Sequence, residues 1–305
     1  ALLFDFTNGF HDAANSVSTV VATRALPAKA AVWFSAFFNF AAVFIVGTAV
    51  ANTVAKTVKP GVTGVGVIFA ALFAAIVWNY ATWWVGMPSS SSHALIGGLV
   101  GAGLAAGGID AISWPSVQKT VIAIVASPLI AFGIAFLAMF LVAALRNVFK
   151  LDDNAKQFKW LQLVSAGAVS FGHGANDAQK TMGVIAALLV AGGQLDTFSV
   201  PLWVKLLAGG AIVFGTALGG WRIIATMGRH IFGLKPLDSF ASQTSSTAVI
   251  LTASLVGGPV STTQVVASSV VGTGAGRHRW RHVRWEVVRA MGIAWIITMP
   301  GAASR

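Results

Sequence analysis

Cysteine is absent from the 305 residues, and charged residues make up only 10% of them. The first absence excludes a disulfide frame, a thiol nucleophile and a thiolate metal site, and it leaves no redox compartment to infer. The second excludes an ordinary soluble domain, where about a quarter of residues are charged. Acids are scarcest, nine Asp and Glu against twenty Lys and Arg, for a net charge of +11. In a soluble chain that balance would point to nucleic acid. Here the basic residues sit in short loops between apolar runs, and the enrichment of cytoplasmic loops in Lys and Arg accounts for them, so no nucleic-acid partner is expected. No signal peptide is visible. The chain opens without Met inside a hydrophobic segment, and residues upstream of Ala1 are expected.

What remains is 56% hydrophobic, with a mean hydropathy of +0.78. Stretches of about 18 residues with few or no charges recur, each long enough to cross a hydrocarbon core roughly 30 Å thick as a helix. The chain reads as an all-α polytopic membrane protein. Its apolar runs fall at 1–22, 29–55, 64–85, 94–109, 117–145, 160–191, 202–226, 238–257, 264–275 and 286–303. Segments 29–55, 117–145, 202–226 and 286–303 read as plain spans. Segments 1–22 and 160–191 read as broken transmembrane helices, interrupted by the polar clusters Asn8 to Ser16 and His173 to Thr181. The pairs within 64–109 and 238–275 read as re-entrant helical hairpins with Pro-Ser/Thr tips.

If each span changes side and each hairpin returns to its own, fourteen basic residues collect on one side, among them Arg24, Lys29, Arg146, Arg222 and Arg289. Five, Lys56, Lys59, Lys119, Lys205 and Arg305, collect on the other. The richer side is cytoplasmic. The same walk makes residues 1–145 and 160–305 inverted-topology repeats, joined by a cytoplasmic connection at 146–159. Inverted repeats with interrupted helices mark alternating-access transporters, with the site near the midplane where the repeats meet.

Residue matches carry the duplication. Phe6-Thr7-Asn8-Gly9-Phe10-His11-Asp12-Ala13-Ala14-Asn15-Ser16 aligns with Phe171-Gly172-His173-Gly174-Ala175-Asn176-Asp177-Ala178-Gln179-Lys180-Thr181. Pro88-Ser89-Ser90-Ser91-Ser92-His93 aligns with Pro259-Val260-Ser261-Thr262-Thr263-Gln264, and Gly101 and Gly103 then match Gly272 and Gly274.

A carboxylate in the middle of a span costs roughly 2.5–3.5 kcal/mol. Asp12 and Asp177 occupy such places at matched positions. They either cap half-helix starts at the breaks or bind a coupling cation or proton, and capping alone needs no charge, because Ser or Asn would serve. Asp5 is either a proton site or a surface group near the start of the chain. At each tip Pro ends one arm and a hydroxyl run opens the next, Ser90, Ser91 and Ser92 in one, Ser261, Thr262 and Thr263 in the other. A helix start offers free N–H groups and a positive dipole end, so the tips form a donor-rich clamp suited to an anion such as phosphate. Their other use would be to satisfy their own helix ends. Moving an anion into a negative cell interior is uphill, and cations carried with it cancel the cost. Lys180 aligns with Asn15 and either pairs with Asp177 or touches the anion. His11 and His173 are hydrogen-bonding groups that could titrate near neutral pH. His93 is matched by Gln264, so hydrogen bonding suffices for it. The basic cluster from Gly276 to Arg289 reads as an anchor against anionic lipid.

Phe4-Asp5-Phe6-Thr7-Asn8-Gly9-Phe10-His11-Asp12-Ala13-Ala14-Asn15, the segment Gly174-Ala175-Asn176-Asp177-Ala178-Gln179-Lys180, both tips and the tail Val283-Arg284-Trp285-Glu286-Val287-Val288-Arg289 resemble the inorganic phosphate transporter (PiT) family. The likeness is closest to bacterial low-affinity Pit-type carriers and covers nearly the whole chain. It implies symport of inorganic phosphate with protons or sodium across the bacterial inner membrane. In bacterial members the substrate is often a neutral metal–phosphate complex, here with magnesium. It implies no enzymatic cofactor, and it suggests a homodimer. Motifs and resemblance together assign phosphate binding to Ser90, Ser91, Ser92, Ser261, Thr262, Thr263, Asn8, Asn176, Gln179 and Lys180. They assign the coupling ion or proton to Asp12, Asp177, Asn15, His11 and Asp5, with no metal ligand set. Where sodium-coupled relatives tend to have Ala-Asn-Asp, the first motif has Phe10-His11-Asp12, which removes an amide ligand and favours protons.

The alternatives are a sodium-coupled phosphate symporter and a sulfate permease, since sulfate presents similar acceptors. An intramembrane hydrolase using Ser92 and His93 is disfavoured, because adjacent helical residues project about 100° apart. An anion channel is disfavoured because buried carboxylates would obstruct it.

Overall fold

The computed structural model of the protein describes residues 1–149, 156–231, 233–276 and 280–304. Lys150, Arg277, Arg279 and Arg305, which enter the charge and anchor readings above, lie outside the described residues. Among the described residues the regular structure is helical. The first half runs α1 (Leu2–Ala22), α2 (Ala28–Ile45), α3 (Ala49–Ala55), α4 (Val65–Trp84), α5 (Ser91–Gly107) and α6 (Trp114–Phe149). The second runs α7 (Lys156–Ala191), α8 (Leu202–Leu218), α9 (Trp221–Ala225), α10 (Pro236–Leu255), α11 (Thr262–Gly276) and α12 (Trp285–Ala303). By length and composition α2, α4 and the Trp114–Val142 part of α6 can each cross a membrane, and the bent pair α8–α9 makes a fourth.

Burial is reversed relative to a soluble protein. Trp33, Phe37, Phe69, Leu129 and Phe214 are exposed, whereas Asp5, Asp12, Asn39, Gln162, Asp177 and Lys180 are buried. Apolar side chains outside and polar ones inside is what a hydrocarbon solvent selects, since only the interior offers hydrogen-bond partners.

The breaks fall elsewhere than the sequence reading placed them. Segments 1–22 and 160–191, read as broken helices, are the uninterrupted α1 and α7. Their Asn, Asp, His and Ser side chains stay compatible with helix because many find partners on other helices instead of competing for their own backbone. Two of the four segments read as plain spans are the broken ones, while 117–145 and 286–303 lie in the unbroken α6 and α12. Residues 29–55 divide at 46–48 into α2 and α3, and 202–226 divide at Gly219-Gly220 into α8 and α9, which diverge by 62°. Gly219 ends α8 in the left-handed region (φ +71°) that glycine adopts without a Cβ penalty. The two hairpin readings correspond to the helix–turn–helix pairs α4–α5 and α10–α11.

Helix starts recur at one spacing. Val65, Ser91 and Trp114 open α4, α5 and α6; Pro236, Thr262 and Trp285 open α10, α11 and α12, each 171 residues on (236 less 65, 262 less 91, 285 less 114). The halves interlock, with α1 against α8, α7 against α2, α5 against α12 and α11 against α6. Glycine sets the closest of these approaches. A Cβ at Gly101 of α5 would stand 2.2 Å from the Ala303 carbonyl oxygen, and one at its match Gly272 would stand 2.5 Å from that of Phe132. Small residues let helix backbones approach where lipid supplies no hydrophobic push between them. Gly101→Leu is therefore expected to destabilise by about 3 kcal/mol or more, because a backbone carbonyl cannot turn aside. Gly133→Ala, with nothing within 4 Å of its Cβ, should leave the unfolding temperature in detergent unchanged or slightly raised. Equal melting curves for the two variants would contradict this packing.

Candidate functional site

The site forms where the middles of α1 and α7 meet the starts of α5 and α11. Ser90 caps α5, its Oγ accepting from the His93 amide at 3.1 Å. Ser261 does the same for Gln264 in α11 at 3.3 Å. These two hydroxyls serve their own helix ends. In each first turn the amides of Ser91 and Ser92, and of Thr262 and Thr263, have no intrahelical acceptor, as at any helix start. The tips touch: Ser92 Oγ donates to the Val260 carbonyl at 2.9 Å, and His93 Nε2 lies 3.4 Å from Gln264 Nε2.

Both carboxylates face this junction. Asp12 Oδ2 accepts from Ser91 Oγ at 2.7 Å, and its Oδ1 accepts from Thr263 Oγ1 at 3.2 Å. One acid thus receives a hydroxyl from each tip. His11 Nδ1 lies 2.6 Å from the same Oδ1, and His11 Nε2 reaches the hydroxyls of Thr82 and Ser89. Asp177 Oδ2 accepts from Thr262 Oγ1 at 3.0 Å and lies 3.1 Å from His173 Nε2. The Lys180 ammonium contacts Asp177 Oδ1 and Ser92 Oγ, and donates to the Val260 carbonyl at 3.1 Å. Asn15 Nδ2 donates to Thr262 and Thr263. Ligand atoms of Asp12, His173 and Asp177 all lie within 4.8 Å of one another, close enough to share one cation. Because α1 and α7 do not break at these acids, neither caps a half-helix.

Other residues singled out from the sequence fall beside this centre. Gln179 Oε1 accepts from the Val50 and Ala51 amides, capping α3 just after the break. Asn176 Nδ2 donates to Ser254 Oγ and the Gly258 carbonyl, holding the α10–α11 turn. Asn8 is buried. Asp5 is fully buried as well, which removes the surface reading for it. The sequence reading missed Thr82, Ser89 and Asn39. Asn39 Oδ1 lies 3.1 Å from His173 Nδ1, and its Nδ2 donates to Thr216. A lone Asn inside an otherwise apolar span was the available signal for it. An open apolar groove of about 670 Å³ beside α6, α11 and α12 has His93 and Gln264 in its lining but neither carboxylate.

Membrane-spanning helices with apolar exteriors, closing around buried acids and paired helix starts, define a polytopic membrane transporter. The phosphate transporter family model matches residues 8–154 and 146–304. The chain is 49% identical over 308 residues to the protein of Rhizobium meliloti named "Probable low-affinity inorganic phosphate transporter", covering 99% of this chain and 91% of that protein. It is 41% identical to the Bacillus subtilis protein of the same name, covering 100% and 92%. A solved structure, "The sodium-dependent phosphate transporter", superposes with a TM-score of 0.87 at 25% identity, covering 99% of this chain and 94% of that one. The chain belongs to the phosphate transporter family. It is a transporter and not an enzyme, a multi-pass protein of the bacterial inner membrane.

Proposed function

We propose that this protein imports inorganic phosphate by proton-coupled symport, through two inverted-topology repeats, 1–145 and 160–305, joined by 146–159. The observation that carries the reading is the double hold on Asp12: one hydroxyl from each tip and a His11 nitrogen at 2.6 Å all converge on a buried carboxylate. The recurrence of three helix starts 171 residues apart and the fourteen-to-five charge split support opposed repeats. In that arrangement α4–α5 and α10–α11 enter as re-entrant hairpins from opposite sides.

The hydrogen bonds suggest how coupling works. A hydroxyl has one proton to donate. While Asp12 is ionised, Ser91 and Thr263 give theirs to it. Once Asp12 is protonated, its O–H can donate to a hydroxyl oxygen in place of drawing hydroxyl protons, and those protons turn to phosphate beside the free amides of Ser91, Ser92, Thr262 and Thr263. Proton and phosphate therefore favour each other's binding, and by linkage the effect is reciprocal. His11 orients Asp12 and accepts or returns its proton. Where phosphate travels with magnesium, Asp12, His173 and Asp177 are the groups that would contact the metal.

The test is labelled phosphate uptake into proteoliposomes under separate proton and sodium gradients, with and without magnesium, and with sulfate as competitor. An inward proton gradient should drive concentrative uptake that sulfate does not suppress. Uptake driven by sodium alone would transfer the coupling to sodium, the ion named for the structural relative. Suppression by equimolar sulfate would remove phosphate as the preferred substrate.

A further inference from the structure

Asn15 and Lys180 occupy matched positions in the two motifs, and both reach the tip hydroxyls, with a difference at the matched acids. In the first half Thr263 bonds Asp12 directly at 3.2 Å. The matched contact in the second half would join Ser92 to Asp177, because Ser92 aligns with Thr263. No such direct bond forms. The Lys180 ammonium stands between the two, on Asp177 Oδ1 and Ser92 Oγ, with the Val260 carbonyl as its third acceptor. Val260 aligns with Ser89, so this third group also comes from the tip motif.

A carboxylate oxygen, a hydroxyl oxygen and a backbone carbonyl are the hard oxygen ligands that a small metal cation takes. They come here from α7, from α5 and from the turn before α11, and all three residues are buried. In the first half Asn15 donates to Thr262 and Thr263, while its Oδ1, also buried, has no hydrogen-bond partner. That oxygen and Asp12 leave the first half with acceptors and no permanent cation, since His11 beside Asp12 is charged only when protonated. Counting these groups, the site holds two carboxylates against one ammonium.

We propose, building on the symport reading above, that the Lys180 ammonium is a tethered coupling cation. It fills in the second half an oxygen-lined seat, formed by Asp177, Ser92 and Val260, that a mobile monovalent cation such as sodium would otherwise take. Tethering removes one ion from the transport stoichiometry. It also gives phosphate a permanent positive charge beside Ser92 and Thr262, which is there in the empty carrier as well as the loaded one.

The substitution that restores the first-half residue is Lys180→Asn, with Lys180→Gln carried in parallel in case the shorter amide fails to fold. The expected result is that the purified variant binds one more sodium ion per chain than the wild type, measured with radiolabelled sodium. Its thermal unfolding temperature should rise with sodium where that of the wild type does not, since binding to the folded state stabilises it. In proteoliposomes each phosphate should be accompanied by one more positive charge, read from the reversal potential. Equal sodium binding and equal charge per phosphate in wild type and both variants would overturn the inference while leaving phosphate transport standing. A wild-type protein that takes up no phosphate under any gradient would instead remove the symport reading beneath it.

Discussion

Asp12→Asn is expected to reduce proton-driven phosphate uptake to the level of protein-free vesicles while the protein still inserts and purifies as wild type. The amide keeps the size of the acid, its oxygen still accepts from one of Ser91 and Thr263, and its NH2 can donate to the other hydroxyl oxygen, so packing is preserved. It loses the charge that commits those hydroxyls and the oxygen that takes the proton. Phosphate binding should survive in a pH-independent form, because the amide mimics the protonated acid. The measurement is paired: uptake under a proton gradient, and phosphate binding to the detergent-purified protein across pH. An Asp12→Asn protein that still concentrates phosphate would remove Asp12 from the coupling.

Asp177→Asn is expected to abolish uptake too, but through a larger structural effect. Its carboxylate is the charge partner of a fully buried ammonium. Removing one member of a buried pair costs about 3–5 kcal/mol, because the charge left behind has lost both water and partner. The Ser92 and Val260 contacts remain and offset part of that. The unfolding temperature should fall well below that of Asp12→Asn. The double variant Asp177→Asn with Lys180→Met should recover most of the loss, since no unpaired charge remains, and still not transport. If the single variant melts with the wild type, the ion pair is not what holds α7 against the two tips. The contrast between the matched acids follows from one of the places where the duplication is broken, Lys180 for Asn15.

The residues of the site were legible because each breaks a local rule. Asp12, Asp177, Asn15 and Lys180 are polar groups in apolar spans, and the Pro-Ser/Thr runs interrupt hydrophobic segments in duplicate. Which hydroxyl does what was not legible. Ser90 and Ser261 cap their own helices while their neighbours reach across to the acids, and that choice depends on which side of the first turn faces the partner helix. Gln179 and Asn176 looked like ligands because they belong to the motif, yet they hold a helix start and a turn. The placement of the breaks misled for a related reason. Polar clusters resemble loops when partners are unseen, and once Ser91, Thr262 and Thr263 supply them, α1 and α7 stay helical.

Composition and pattern by themselves determined that the chain is helical and membrane-spanning, that it carries two copies of a motif pair, and that acids and hydroxylated helix starts belong to one site. These are local facts: hydropathy over a span, residue identity at a spacing, the donors left free at any helix start. The tertiary structure decided which copy's hydroxyls meet which copy's acid, where the spans bend, and that an ammonium is wedged between Asp177 and Ser92. Those outcomes depend on how closely helix backbones approach at glycines such as Gly101 and Gly272, and that closeness belongs to two helices at once, so no single stretch of sequence contains it.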